Sequence, residues 1–426
     1  MMLRISQNNA PNSLACRQVL SPELLEARRQ ARDIAGGGDG MEDRMMATVK
    51  RMAVPRGPGS AGERAAGEYV SERLRELGLD VRAESFPAPS TFSWVYLLLY
   101  VAPGAAVAAA AYRPMAGVAL ALGGLLLFYL ELDFRELLGH AFRWSRSSNI
   151  IGRARQGGTR RIPIILMAHR DSSKAALNFR PGLVEGFRRS FLGMVAAYLF
   201  TPVLLAAYVA SGASALWWLS FLPAGYLLLS AGFLLHREIV NQVTRGANDN
   251  ASGVAVLLAL VETWIRTPPQ HLELWAVMTG AEESGTWGAA DFLRRHGRGL
   301  RDALFLNFDN VGAGQVHYID AEGALRPYRA SPRLLAAAEA ARRLRPDLKV
   351  SRAAYRLLPT DATRALAWGY QAMSFLATDE RGLLPNWHWL TDTPEGVDPE
   401  CLRHCHDFAW ELVLELDRRA GQGRSE

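Results

Sequence analysis

Four long runs of apolar residues interrupt a chain that otherwise alternates between short apolar segments and polar ones. They cover about 93–112, 115–132, 191–211 and 215–235, and each approaches the ~20 residues that a helix needs to cross a bilayer. Aromatic residues stand near the run ends, where interfacial side chains are common: Trp94, Tyr96, Trp217 and Trp218. Buried core hairpins are the alternative, but runs this long and almost free of charge favour two transmembrane hairpins, 92–132 and 191–235.

The distribution of arginine predicts the orientation of these hairpins. Two hairpins return the chain to the side on which it started, and the short turns carry little charge apart from Arg113. The opposite ends are rich in arginine: Arg135, Arg143, Arg146, Arg180, Arg188, Arg189 and Arg237. The positive-inside rule therefore predicts an integral membrane protein of the cell membrane with its polar part in the cytoplasm. Residues 1–20 lack the apolar core of a signal peptide, which agrees with this expectation.

The rest of the pattern predicts an α/β fold. Helices are expected at about 21–35, 41–53, 63–77, 251–265, 286–296, 331–344 and 399–418, and strands at 79–86, 149–152, 162–167, 272–278, 303–308 and 372–376. Alternation of this kind indicates three layers, a mixed and mostly parallel sheet with helices on both faces. We expect an N-terminal segment 1–40 and a catalytic domain in three parts, 41–91, 133–190 and 236–426, separated by the hairpins.

Composition excludes some functions and leaves one minor alternative. The 426-residue chain has a net charge of +6, but its arginines are scattered and no basic, aromatic platform for nucleic acid is visible. Three cysteines do not suggest a disulfide framework. Cys401 and Cys405 lie one helical turn apart beside His404 and His406, and a zinc site is conceivable there.

Candidate metal ligands follow the predicted strands. His169 and Asp171 end one strand, Glu282 and Glu283 follow the next, and Asp309 ends a third. Asp249 stands in a glycine-bounded turn before a helix, and His388 lies in a tryptophan-flanked loop late in the chain. Ligands of α/β folds bind at the carboxyl ends of strands.

Each of these residues alone has a simpler interpretation. Asp249 could only cap its helix, His169 and His388 could be packed histidines, and Glu282 with Glu283 could be a solvated pair. Clustered carboxylates, however, would repel one another unless cations neutralised them. Imidazole and carboxylate ligands suit Zn²⁺, with Mn²⁺ or Co²⁺ possible. Five ligands exceed the needs of one tetrahedral site and fit two metals that share one carboxylate.

The ordered motifs resemble those of the di-zinc aminopeptidases, a family that includes the bacterial leucyl aminopeptidases, aminopeptidase Y and the glutamate carboxypeptidase relatives. The resemblance rests on His169-x-Asp171, Gly246-Ala-Asn-Asp-Asn-Ala-Ser-Gly253, Thr279-Gly-Ala-Glu-Glu-Ser-Gly285, Asp309 and His388-x-x-x-Asp392-Thr393. Residues 59–66 also resemble the entry helix of that family. The matching segments, about 44–86, 147–172 and 237–418, cover roughly three quarters of the chain.

The resemblance implies a role for each residue. Asp249 would bridge two zinc ions, with a cis peptide to Asn250. His169 and Asp309 would complete one site, and Glu283 and His388 the other. Asp171 would orient the ring of His169. Glu282 would be the general base that activates water for release of the N-terminal residue of a peptide.

The chain departs from the family in one stretch. Where the family often has a Ser-Asp-His-like sequence, this chain has Thr360-Asp361-Ala362. Tyr355 and Tyr370 are candidate hydroxyl donors in its place. Trp387 and Trp389 could line an apolar side-chain pocket.

Three other functions remain as alternatives. Glutaminyl cyclase-like acyltransferases resemble the same family and use similar ligands for intramolecular attack. A catalytically silent membrane scaffold of the same fold is a second possibility, although all five ligands and the base are present. Transport by the four apolar helices is a third, which the near absence of ionisable residues in mid-span disfavours.

Overall fold

The computed structural model of the protein describes residues 40–154 and 161–422. Twelve helices of at least six residues occur in these ranges: α1 Met41–Met52, α2 Ala61–Glu76, α3 Ser93–Tyr112, α4 Pro114–Leu132, α5 Phe187–Ser211, α6 Ser214–Leu219, α7 Phe221–Val240, α8 Ser252–Arg266, α9 Trp287–His296, α10 Pro332–Leu344, α11 Asp361–Ala367 and α12 Pro399–Gln422. The strands are β1 Asp80–Ala88, β2 Ser145–Arg153, β3 Ile162–His169, β4 Leu272–Thr279, β5 Leu304–Phe308, β6 Gln315–Glu322, β7 Tyr328–Arg329, β8 Val350–Tyr355 and β9 Gln371–Thr378.

One mixed sheet of nine strands forms the centre of the fold. Its order is β1-β2-β4-β3-β5-β9-β6-β7, with β8 paired to β6. The four central strands β4, β3, β5 and β9 run parallel, while β1 and β2 add antiparallel strands at one side. The central strands are apolar on both faces, as expected of a parallel sheet covered by helices. Their carboxyl ends therefore meet at one edge of the sheet.

Helices cover both faces of the sheet, and each face has its own apolar core. On one face α1, α2, α8, α10 and α12 pack against the sheet around buried residues such as Leu166, Leu260 and Leu412. On the other, α9 and α11 enclose a smaller cluster that contains Phe292 and Phe305. The expected three-layer α/β architecture is thereby confirmed.

The apolar runs form a separate bundle of helices. Within the described residues, four helical segments are long and apolar enough to cross a membrane, namely Ser93–Tyr112, Pro114–Leu132, Val184–Ser211 and Ser214–Val240. The last is interrupted at Ser220, so that α6 and α7 follow one another. Inside the bundle the rings of Phe128 and Tyr198 stack with centroids 4.1 Å apart, and the Tyr198 hydroxyl donates to Leu99 O.

The structure also contains elements that the sequence pattern did not predict. Strands β6, β7 and β8 and the short helix α11 were all missed. The predicted helix at 21–35 lies outside the described residues.

Candidate metal centre

The parallel strands bring three sequence-predicted ligands to one edge of the sheet. His169 is the last residue of β3, Glu283 follows β4 by four residues, and Asp309 comes directly after β5. Asp249 lies in the turn before α8 and His388 in the loop after β9, and both reach the same edge. All five side chains are buried.

Asp249 lies between two groups of candidate ligands. Its Oδ1 is 3.1 Å from His169 Nε2, which in turn is 3.6 Å from Asp309 Oδ1. Its Oδ2 is 3.1 Å from His388 Nε2, which is 3.0 Å from Glu283 Oε2. Within each of these two groups the ligand atoms lie within 4.8 Å of one another.

The turn that carries Asp249 is held by its neighbours on every side. The Asp249–Asn250 peptide is cis, as the resemblance implied. The carboxylate of Asp392 accepts the backbone N–H groups of Asn248, at 2.6 Å, and Asp249, at 3.1 Å. The Asn250 side chain donates to Phe308 O at 2.8 Å. Asp392 therefore fixes the backbone from which Asp249 projects.

Asp171, like Asp392, accepts hydrogen bonds from two consecutive backbone N–H groups beside the candidate ligands. Its carboxylate accepts the backbone N–H groups of Glu282, at 3.2 Å, and Glu283, at 3.0 Å. The ring Nδ1 of His169 is closer to the Asp171 carbonyl oxygen, at 3.2 Å, than to its carboxylate, at 3.7 Å. Asp171 thus contacts His169 as expected, but its side chain chiefly fixes the turn that carries both glutamates.

The chemistry of the donor set fits divalent metal ions. Burial opposes protonation of His388, but Glu283 and Asp249 outweigh it and raise the pKa of His388 to about 9. Hydrogen bonds from His169 and His388 overcome burial and hold the pKa of Asp249 far below its usual range. The Oε1 atom of Glu283 is buried without a hydrogen-bond partner. Buried carboxylates clustered in this way require nearby positive charge, and zinc would supply it.

Glu282 lies beside both groups and belongs to neither. It lines the same cavity as the ligands, and its side chain is 9% exposed. Burial, together with the nearby carboxylates of Asp361 and Glu283, raises the pKa of Glu282 well above its usual value. A carboxylate with a raised pKa, open to the cavity, is suited to accept and release a proton.

Buried charged residues that sequence reasoning missed support this edge of the sheet. Arg56 is fully buried and donates to the carbonyl oxygens of Met52, Arg170 and Gly246, at 2.6 to 2.7 Å. Burial lowers the pKa of Arg56 to about 10, although the carboxylates of the site counteract the effect. Glu63 accepts the backbone N–H of Ala281 at 3.0 Å. No periodicity marks such residues, because a charged side chain in a loop or in the first turn of a helix normally indicates the surface.

A cavity of about 430 Å³ extends from the ligands. Tyr355 and Trp387 are among the residues that line it, in agreement with their predicted places near the site. Tyr370 instead packs against Phe305 in the core and Trp389 is not part of the lining, so neither occupies the expected position.

The alternative zinc site at the C-terminal helix is not formed. Cys401 and Cys405 are buried and unpaired, and His406 instead contacts Thr263 at 3.0 Å. In the two described ranges of the chain, only the groups around Asp249 bring three potential ligands together.

The fold of this protein is like that of the zinc exopeptidases, and the buried side chains at the edge of its sheet are candidate ligands for zinc. Comparison with known sequences agrees: residues 227–413 match the sequence model of peptidase family M28. A search of curated proteins finds no match. The resemblance to the di-zinc aminopeptidases is thus confirmed.

Solved structures show the same fold. A zinc aminopeptidase from Bacillus subtilis superposes with a TM-score of 0.55 at 14% identity, over 88% of this chain and 95% of that one. An aminopeptidase from Aneurinibacillus sp. strain AM-1 superposes with a TM-score of 0.53 at 16% identity, over 90% of this chain and 95% of that one. A glutaminyl cyclase from Bacteroides thetaiotaomicron bound to N-acetylhistamine superposes with a TM-score of 0.52 at 15% identity, over 87% of this chain and 97% of that one.

Proposed function

We propose that the protein is a membrane-anchored di-zinc metallopeptidase of the aminopeptidase type, which releases N-terminal residues from peptides. The observation that carries the proposal is the pair of buried ligand groups that share Asp249, with Glu282 beside them in the same cavity. Two groups that share one carboxylate support two metal ions rather than one.

In this proposal His169 and Asp309 would hold one zinc ion, Glu283 and His388 would hold the other, and Asp249 would serve as a ligand in both groups. Zinc bound there would lower the pKa of a water molecule and polarise the scissile carbonyl. The buried walls keep bulk water from the charged groups, which strengthens every electrostatic interaction among them.

Glu282 acts as the general base and then as the general acid. Its carboxylate takes a proton from the attacking water and passes it to the leaving amine, so that one acid–base group serves both halves of the reaction. Asp171 positions it, since the backbone N–H of Glu282 donates to the Asp171 carboxylate. The high pKa of Glu282 helps it to retain the proton between the two transfers.

The substitution Glu282→Gln tests this assignment, and the same substitution at the neighbouring candidate ligand Glu283 serves as the comparison. We expect Glu282→Gln to retain about two zinc ions per chain and to lose roughly 10²–10⁴-fold in kcat, because only proton transfer is removed. Glu283→Gln should instead lower the zinc content. Elemental analysis and turnover of leucine p-nitroanilide, with and without chelator, measure both quantities. Retained turnover in Glu282→Gln would contradict the role of this residue.

The arrangement of the hairpins supports anchoring in a membrane with the catalytic domain in the cytoplasm. The turn at Arg113 and the segment 212–213 join the helices at the ends far from the sheet, whereas the arginines concentrate at the ends near it. A reporter fused after Glu426 should be active only if it folds in the cytoplasm. Activity of a periplasmic reporter at this position would overturn the orientation.

Cyclisation is the second candidate, because one structure of this fold is that of a glutaminyl cyclase. The two complete ligand groups favour hydrolysis. A peptide with N-terminal glutamine distinguishes the reactions, since hydrolysis releases free glutamine and cyclisation leaves a pyroglutamyl peptide. A scaffold without activity would turn over neither peptide.

A further inference from the structure

The cavity at the metal centre continues into the helical bundle. Besides His169, Glu283 and His388, its lining includes apolar residues from all four long helices of the bundle. We call this part the chamber and define it by the residues Tyr96, Tyr100, Phe191, Met194, Phe233 and Leu234. The ligands and the chamber therefore share one continuous space.

Polar contacts hold the chamber in register with the metal centre. The Arg237 guanidinium at the end of α7 donates to Ser173 Oγ at 3.3 Å and to Thr91 Oγ1 at 2.8 Å. Lys174 Nζ donates to the Glu238 carbonyl oxygen at 2.9 Å. Because Ser173 and Lys174 lie two and three residues after Asp171, the bundle is attached to the segment that carries part of the site.

The size of the cavity and the apolar side chains that define the chamber indicate what the site can hold. A cavity of about 430 Å³ is within the range of pockets that enclose small-molecule ligands. A peptide entering the chamber would bring backbone N–H and C=O groups among aromatic and aliphatic walls. Each such group left without a partner costs about 1–3 kcal/mol by protein mutational data. An acyl chain has no such groups and gains from the burial of every methylene.

The chamber also has a route from the bilayer. Tyr129 and Phe233 line the cavity, yet 48% and 42% of their surfaces are exposed. Both lie in helices long and apolar enough to span a membrane. In the proposed membrane protein, the cavity therefore reaches the surface of the bundle where lipid chains would surround it.

We propose that this site also hydrolyses long-chain N-acyl amino acids, with the fatty acyl chain in the chamber. The inference rests on the amide-hydrolysing centre of the proposed function. Water adds to the acyl carbonyl, the C–N bond breaks, and the products are a fatty acid and a free amino acid. The hydroxyl of the water stays on the carboxyl product, and its proton goes to the leaving amine through Glu282. The scissile carbonyl lies at the end of the chain, so the metal centre can receive it while the chain stays in apolar surroundings.

The test compares matched substrates and matched variants in lipid nanodiscs, where detergent cannot compete for the chamber. The substrates are N-dodecanoyl-leucine and N-acetyl-leucine, with leucine p-nitroanilide as an independent measure of aminopeptidase activity. Met194→Trp fills the chamber from α5, and Leu234→Trp fills it from α7. Leu192→Trp is the control, because Leu192 lies on the same helix as Met194 but points outward and is 44% exposed.

We expect the wild-type protein to prefer the dodecanoyl over the acetyl substrate by roughly tenfold or more in kcat/KM. Both chamber variants should reduce this ratio by about tenfold, which corresponds to the exclusion of about two methylene groups. Leu192→Trp should leave the ratio unchanged. Turnover of the dodecanoyl substrate without turnover of the anilide would refute the aminopeptidase proposal and keep this one. Turnover of the anilide without turnover of the dodecanoyl substrate, or equal substrate ratios in all variants, would overturn only the proposal on N-acyl amino acids. Turnover of neither the anilide nor the dodecanoyl substrate would overturn both proposals.

A binding measurement supplies evidence that does not depend on activity. In chelator-treated protein, a dodecanoyl-leucine with a terminal diazirine should label peptides of α5 or α7 on illumination. Excess unlabelled dodecanoyl-leucine should prevent the labelling, whereas acetyl-leucine should not. Labelling confined to the outer faces of the helices, or equal labelling in Met194→Trp, would exclude the chamber as the binding site.

Discussion

The Asp171 carboxylate offers the sharpest test of how the metal centre is built. Both of its oxygens are occupied, because one accepts the N–H of Glu282 and the other that of Glu283. The substitution Asp171→Asn keeps the shape but replaces one oxygen with an NH₂ group, which then faces a backbone donor. The side chain is fully buried, so no water can take over the lost interaction.

The size of the effect follows from these contacts. A hydrogen bond to a charged group contributes about 1.5–3 kcal/mol, and an unsatisfied buried N–H costs about 1–3 kcal/mol. Removing a negative charge beside Asp249 and Glu283 offsets part of this loss in metal-free protein. We therefore expect Asp171→Asn to lower the free energy of unfolding by about 2–4 kcal/mol. The reduction in Tm should be about 2–5 °C, because the unfolding entropy of a chain of this length is about 0.9 kcal/mol/K.

Scanning calorimetry of chelated protein at one fixed scan rate measures the change without any contribution from metal binding. The control is Asp320→Asn, because the partly exposed Asp320 carboxylate pairs with Arg352, itself exposed, at 2.9 Å. Such a pair contributes about 0–1 kcal/mol. A reduction in Tm no larger than that of the control would refute the structural role of Asp171. In zinc-loaded protein, Asp171→Asn should also lower kcat, since Glu282 would lose its fixed position.

Two further predictions concern other parts of the fold. Burial lowers the pKa of His317 to about 4, so the unfolded chain binds a proton below about pH 6.5 that the folded chain does not bind until about pH 4. Stability should fall by about 3 kcal/mol as the pH falls through this window. His317→Gln should remove that part of the loss, and equal Tm changes between pH 7.5 and pH 5 in both proteins would contradict the assignment. In Gly253→Ala the new Cβ would lie 2.3 Å from Phe308 O, which should destabilise the protein by about 1–3 kcal/mol. Gly299→Ala, where nothing lies within 4 Å, should stay close to wild type in thermal unfolding.

The candidate ligands could be predicted from the sequence because two simple regularities coincide. Strand β3 is an apolar run that ends in a metal-type side chain, and such a side chain follows the apolar strands β4 and β5 within four residues. Parallel strands place their carboxyl ends at one edge of the sheet. The position of Asp249 before α8 follows from the change from a glycine-bounded turn to a helical apolar run. The four long apolar helices could also be predicted, because their prediction depends on the length and hydrophobicity of a segment alone.

The missed elements depend on partners far away in the chain. Strand β6 pairs with β8 and β9 and holds the buried His317, which breaks its apolar pattern. Helix α11 has only seven residues, and its capping box joins Thr360 to Thr363 rather than to a glutamate or glutamine. The burial of Arg56 could not be predicted for a related reason, because its acceptors are carbonyl oxygens from distant segments that come together only in the folded protein.

The way the sheet is threaded through the bundle sets an order of assembly. Strands β3 and β4 are hydrogen-bonded neighbours, yet helices α5, α6 and α7 lie between them in the chain. A nascent chain that has made β3 cannot complete this pair until the whole second hairpin has been synthesised. In the membrane-embedded protein that we propose, the second hairpin would thus leave the ribosome for the bilayer before β4 emerges from it. Biogenesis would then assemble the hydrolytic centre only on chains already at the membrane.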